Sequence, residues 1–217
     1  MASPGKVLSV NVAVPERSAA KRGIGLTGIN KQPVDHPVAV RAPELSDSGL
    51  VGDQIFDTKH HGGELQAVYA YAREDYDWWQ DSLGRPLPGG MFGDNLTTVD
   101  VDVTGAVIGE QWRIGPDLVL ETTFGREPCA TFQARMREPQ WVRRFAAENR
   151  TGAYLRVVTP GEVRAGDPIV VVERPAHGVT IAEAFRASYG DRELARTLLS
   201  RPGLPSALRA KLERHAA

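Results

Sequence analysis

At 217 residues, with 41% hydrophobic and 24% charged side chains, the chain is long enough for one sizeable folded unit and has neither a disordered nor a membrane-like composition. Its 26 basic and 27 acidic residues nearly cancel, which removes the global field expected of a nucleic-acid or anionic-membrane binder; no nucleic-acid or membrane partner is expected. The single cysteine excludes an internal disulfide framework and a multi-cysteine zinc site. The first residues carry no long apolar run behind positive charge, so the expected location is cytoplasmic.

In chain order, strand-like runs occur at 6–14, 23–29, 36–42 and 65–72, followed by a helix predicted over 74–83 that opens on acids and stops at Gly84. Further strand-like runs fall at 111–115, 117–123 and 153–159, with a second helix predicted over 139–150 and a last strand at 168–174. Valine-rich segments punctuated by Gly, Pro and Asp predict a mainly β protein, a barrel or sandwich rather than a βαβ layout. Adjacent Trp78 and Trp79 face different sides of the first helix, one into the core and one as partial cover. After Pro175 the pattern becomes three short amphipathic helices at 179–190, 191–201 and 205–215. The expected division is a barrel over 1–174 and a helical segment over 175–217.

Four segments could carry chemistry. Cys129 follows a strand and lies behind Gly125, Arg126 and Pro128, where a cation can stabilise its thiolate; burial as a small apolar side chain is an equal alternative. Gly52-Asp53 and Lys59-His60-His61-Gly62-Gly63 precede a strand, so backbone N–H groups can approach a ligand while Lys and His complement an anion. The rival reading is a tight turn with a solvated surface; zinc is disfavoured because adjacent histidines lack the usual spacing. The stretch from Phe92 through Gly93, Asp94 and Asn95 to Leu96 reads by itself as a turn. Arg156 sits in an apolar strand and requires a partner, either a phosphate or an internal carboxylate, with the internal ion pair slightly favoured.

Taken in order, Gly52-Asp53, Lys59 with His61-Gly62-Gly63, the Phe92–Leu96 stretch, Arg126 with Pro128-Cys129, and Gly152 with Tyr154 and Arg156-Val157 resemble the motif series of MOSC-domain proteins, in particular the YiiM-like branch. The resemblance covers nearly the whole chain, because that branch also ends in three short helices. It implies a MOSC β-barrel with inserted helices and a small C-terminal three-helix appendage. It further implies the molybdenum cofactor (molybdopterin), with Cys129 as the protein's ligand to molybdenum. Lys59, His61, Gly62, Gly63, Gly93 and Asn95 would line the cofactor pocket, and Arg126 and Arg156 would meet its terminal phosphate or a pterin carbonyl. The implied activity is detoxifying reduction of N-hydroxylated compounds (hydroxylaminopurines, amidoximes, hydroxylamines) to amines. Electrons would come from a separate reductase such as a flavoprotein, because the chain has no flavin, iron–sulfur or nicotinamide motif. The oligomeric state is open, a homodimer included.

Two other readings compete. The chain could be a cofactor carrier or sulfur-transfer module using Cys129 as a persulfide. It could also be a Cys–His hydrolase built on Cys129 and His61, which needs an orienting acid. The departure from relatives, Ala130-Thr131-Phe132 in place of a longer polar continuation, bears on substrate preference.

Overall fold

A computed structural model describes residues 5–18, 20, 25–44 and 47–216. The elements run β1 (Gly5–Ala13), β2 (Glu16–Arg17), β3 (Leu26–Thr27), β4 (Lys31–Val34), β5 (Val38–Val40), β6 (Val68–Ala72), α1 (Arg73–Leu83), β7 (Leu96–Val99), β8 (Gln111–Ile114) and β9 (Leu118–Thr122). They continue with α2 (Ala130–Met136), α3 (Trp141–Glu148), β10 (Ala153–Thr159), β11 (Gly161–Val163), β12 (Pro168–Glu173), α4 (Ile181–Ser188), α5 (Arg192–Leu199) and α6 (Ser206–Ala216). Gly23 and Ile24, part of one expected strand run, lie outside the described residues.

Seven strands close a barrel in the order β12-β8-β9-β10-β6-β7-β1. The seam is short, with Gly5 opposite Ile169 and Lys6 opposite Pro168, and β4 takes over the same edge of β1 from Val10 to Ala13. Inward Val7, Val10, Val68, Ala70, Leu96, Trp112, Ile114, Leu118, Leu120 and Leu155 alternate with outer residues and fill the interior. One pair departs from the expected layout. β6 and β7 are parallel and are joined through α1, so a single βαβ crossover is built into an otherwise antiparallel ring.

Both expected inserted helices are present with shifted ends. Left-handed backbones at Gln140 (φ 54°) and Asn149 (φ 55°) confine α3 to eight residues, inside the 139–150 expected. α2 was not expected. It is held by an aromatic cluster in which Phe132, Trp79, Phe92, Trp141 and Phe145 meet at ring-centroid distances of 4.6–6.4 Å. Trp79 is buried in this cluster and Trp78 half-buried, as their positions on α1 require.

The tail helices pack on the barrel. Ile181 N–H donates to Ala106 O and Ala182 N–H to Thr104 O. A Thr180/Glu183 capping box starts α4. Ile181, Ala184, Leu198, Leu208 and Leu212 join the same apolar core as the barrel strands. Among the described residues no helix is long and apolar enough to cross a membrane.

Candidate functional site

A cleft, with about 770 Å³ of space including its mouth, is lined by residues from β3, β4, β6, β10 and the loops at 53–57, 61–62, 93–95 and 126–131. Cys129, His61, Gly62, Gly93, Asn95 and Arg126, all singled out in the sequence, converge on it. Lys59, Gly63 and Arg156 are not among its lining residues.

Cys129 is the residue before α2, in an extended conformation (φ −128°, ψ 173°), with Gln133 N–H donating to its carbonyl at 3.0 Å. The aromatic cluster under α2 therefore fixes where the sulfur points. Burial pushes this thiol up. A hydrogen bond from His61, the Arg126 guanidinium and the Phe132 backbone N–H more than offset that, and the thiol is pulled down to about 6. Cys129 is thus a half-buried soft donor facing a cleft, in surroundings that favour its thiolate. That separates it from the inert buried cysteine the sequence left equally open.

Arg126 is buried, 7% exposed, and its only hydrogen bond among the described residues runs from Nη1 to Phe92 O at 2.5 Å. Its guanidinium lies 5.0 Å from the Tyr69 ring centre and 4.6 Å from that of Phe132. Burial works against its charge, yet the surrounding Tyr154, Tyr69, Cys129 and Asp94 raise its pKa overall. A buried cation held by π-faces and one carbonyl has donors left for an anion. Gly93 makes room for it. At φ 76°, a conformation costly for other residues, a Cβ there would lie 3.1 Å from Ile29 and 3.2 Å from Arg126 Nη1.

Behind the cleft is a polar network that the sequence did not disclose. Buried Lys31, at the start of β4, forms an ion pair with Asp53. Asp53 also accepts from Ala13 N–H (2.8 Å) and Asn95 Nδ2 (2.8 Å). Burial opposes ionisation of both partners; it dominates for Lys31, whose pKa falls, whereas Lys31 and the hydrogen bonds bring Asp53 below the usual carboxylate range. Asn95 is largely spent within the fold, since its Oδ1 accepts from Tyr69 N–H at 3.1 Å. Below it, Asp94 accepts from Tyr76 (2.5 Å) and Thr97 (2.7 Å), and burial raises its pKa.

The His-His-Gly-Gly turn divides in two. His61 enters the cleft, with its N–H on Asp57 O, while exposed His60 pairs with Asp57 at 2.9 Å. Gly62 (φ 88°) approaches Ile55 and donates N–H to Gln66 Oε1 at 3.3 Å. Arg156, which the resemblance set against the cofactor's terminal phosphate or a pterin carbonyl, is not among the residues lining the cleft. Its Nε and Nη2 donate to Glu121 at 2.8 and 2.9 Å, across the β9–β10 pair, because the register sets these two opposite each other. The internal ion pair also considered from the sequence is the arrangement seen. Tyr69, Tyr154, Lys31 and Asp53 also line the cleft; of these Asp53 and Tyr154 lay in motifs singled out beforehand, whereas Tyr69 and Lys31 did not. Among the described residues no group of three His, Cys, Asp or Glu side chains gathers into a metal site.

Comparisons with known proteins agree with this architecture. The MOSC domain family matches residues 57–170. The Bacillus subtilis protein YflK is 30% identical over 185 residues, 85% of this chain and 81% of its own length. A Gibberella moniliformis protein named reductase is 31% identical over 175 residues, 79% of this chain but 30% of that longer protein. The crystal structure of YiiM from Geobacillus stearothermophilus superposes with a TM-score of 0.76 at 27% identity, covering 99% of this chain and all of that one.

Proposed function

Because the chain belongs to the MOSC-domain family, whose domains bind the molybdenum cofactor, we propose that its cleft holds molybdopterin with Cys129 as the protein ligand to molybdenum, and that it reduces N-hydroxylated compounds to amines. The observation that carries this reading is the single free thiol, lining the cleft together with His61 and a buried Arg126 that has no carboxylate partner among the described residues. That donor set fits the group. A soft thiolate suits molybdenum, and Arg126 is a buried cation with donors left for an anionic pterin phosphate. The cofactor would supply the two-electron chemistry.

The chain's own residues have the remaining tasks. His61 and Arg126 keep Cys129 ionised, Asp53 holds Lys31 at the cleft wall, and Gly62 and Gly93 let backbone and guanidinium approach the ligand. The overall change, R–NH–OH + 2 e⁻ + 2 H⁺ → R–NH₂ + H₂O, takes its electrons from a separate reductase partner. The Gibberella relative's name supports an oxidoreductase role in the family.

The test is Cys129→Ser in a host able to make the cofactor. Expected are a native circular dichroism spectrum, loss or alteration of bound molybdenum by elemental analysis, and loss of reduced-viologen turnover with an N-hydroxylated base. Wild-type metal and rate in a folded serine variant would overturn the reading. The His61–Cys129 hydrogen bond also favours a second reading, a thiol nucleophile with a histidine base, which metal-independent amidase or esterase activity would select. A persulfide on Cys129 in molybdenum-free protein would instead select a sulfur carrier.

A further inference from the structure

A second cavity, of about 620 Å³ including its mouth, adjoins the cleft; Thr27, Ile29 and Thr131 line both. The two differ in chemistry. The first offers apolar Leu26, Ile55 and Phe56, of which Leu26 is exposed at the mouth. The second is lined by Arg17, Arg135 and Arg137 with one acid, Glu16. Arg135 is committed, donating to Asn30 Oδ1 at 2.8 Å and lying 3.8 Å from Glu16. Arg17 and Arg137 are exposed and have no side-chain partner among the described residues. Arg137 closes α2 in a left-handed conformation (φ 56°), a position usually given to glycine. Two guanidinium groups unpartnered among the described residues, in a cavity that shares Thr27, Ile29 and Thr131 with the Cys129 cleft, suit a doubly charged group, and the apolar mouth of the cleft suits a planar ring.

We propose that the second cavity receives the phosphate monoester of an N-hydroxylated nucleotide whose base lies in the apolar mouth with its N–O group toward Cys129. This rests on the functional reading above and narrows it, since nucleotides rather than free bases or small hydroxylamines become the favoured substrates. The reaction keeps the balance given above, with the two electrons supplied by the reductase and the phosphate unchanged.

The experiment compares N-hydroxyadenosine with its monophosphate in the viologen assay on molybdenum-loaded protein, alongside calorimetric binding of adenosine and adenosine monophosphate. Wild-type kcat/KM is expected to be about tenfold or more higher for the nucleotide through KM, as charge-assisted contacts imply. The Arg17→Ala/Arg137→Ala double variant should bring the ratio toward about one and weaken adenosine monophosphate binding by a similar factor. Equal KM values for nucleoside and nucleotide in the wild type would overturn the proposal. So would loss of molybdenum from the folded double variant, which would assign the arginines to the cofactor's phosphate. If neither compound is reduced, the functional reading fails, and the calorimetry still decides the phosphate site: equal binding of adenosine and its monophosphate refutes it.

Discussion

Alkylation of the single thiol offers a direct measure of how the cleft treats charge. With its pKa drawn from 9.0 down to about 6, Cys129 is a thousandfold stronger acid than an ordinary thiol here, equivalent to about 4 kcal/mol of preference for the thiolate. At neutral pH about nine-tenths of the molecules then carry thiolate, against about one in a hundred for an unperturbed group. In protein made without the cofactor, the iodoacetamide rate should rise sigmoidally with pH about a midpoint near 6. His61→Ala and Arg126→Met each remove one of the interactions that offset burial, so each should move the midpoint upward by about one unit or more. The sign for stability follows from the same depression. The thiolate's contribution is fully present above the unfolded thiol's pKa, declines as pH falls from about 9 to about 6, and is absent below. A wild-type midpoint near 9, or a midpoint unmoved in both variants, would refute the assignment of His61 and Arg126 as the groups that hold the anion.

Gly93→Ala should cost about 1–2 kcal/mol in chemical denaturation, because the new Cβ meets Ile29 and Arg126 at positive φ, and should also raise the thiol midpoint as Arg126 shifts. Asp53→Asn leaves Lys31 buried without its carboxylate and should destabilise by about 3–5 kcal/mol at neutral pH. Because Asp53 is depressed in the fold, that penalty should shrink on acidification, as the wild type loses its ion pair below the usual carboxylate range; an unchanged penalty in acid would contradict this. Arg156→Ala should leave molybdenum content intact and cost about 1 kcal/mol or less, the value of a partly exposed cross-strand ion pair, by thermal melting and elemental analysis.

Cys129 and His61 were legible because each stands in a short segment whose glycines or prolines already mark a special backbone. Lys31 was not, since it is one lysine ahead of an ordinary strand and gains meaning only when β4 lies along β1 and brings it to Asp53. β7 escaped notice because its middle residues, Thr97 and Thr98, are polar yet fully buried, and Thr97 is satisfied by Asp94 and Asn11. α2 is short and begins at a cysteine, which is no preferred cap; tertiary aromatic contacts, not local propensity, make it helical. For Arg156 the deciding information was strand register, which sets Glu121 opposite and which no single segment contains. The β6–α1–β7 crossover shows the same limit from the other side. Its helix was legible, but nothing local distinguishes a helix that interrupts a meander from one that makes two strands parallel.

The brevity of the β1–β12 seam bears on how the barrel comes together and how it breathes. Strands near the two ends of the chain meet there through two residue pairs, whereas β8, β9 and β10 pair with near neighbours in sequence over longer ladders. On a ribosome the ring stays open until β12 has emerged, so closure is a high-contact-order event that follows formation of the β8–β9–β10 ladders. In the finished protein the same seam, with two residue pairs against three or four in the other pairs of the ring, is expected to part first. Amide protons of Val7 and Gly166, which bond across it, should exchange with solvent through local opening well before those of β9, which are released only when the whole barrel unfolds.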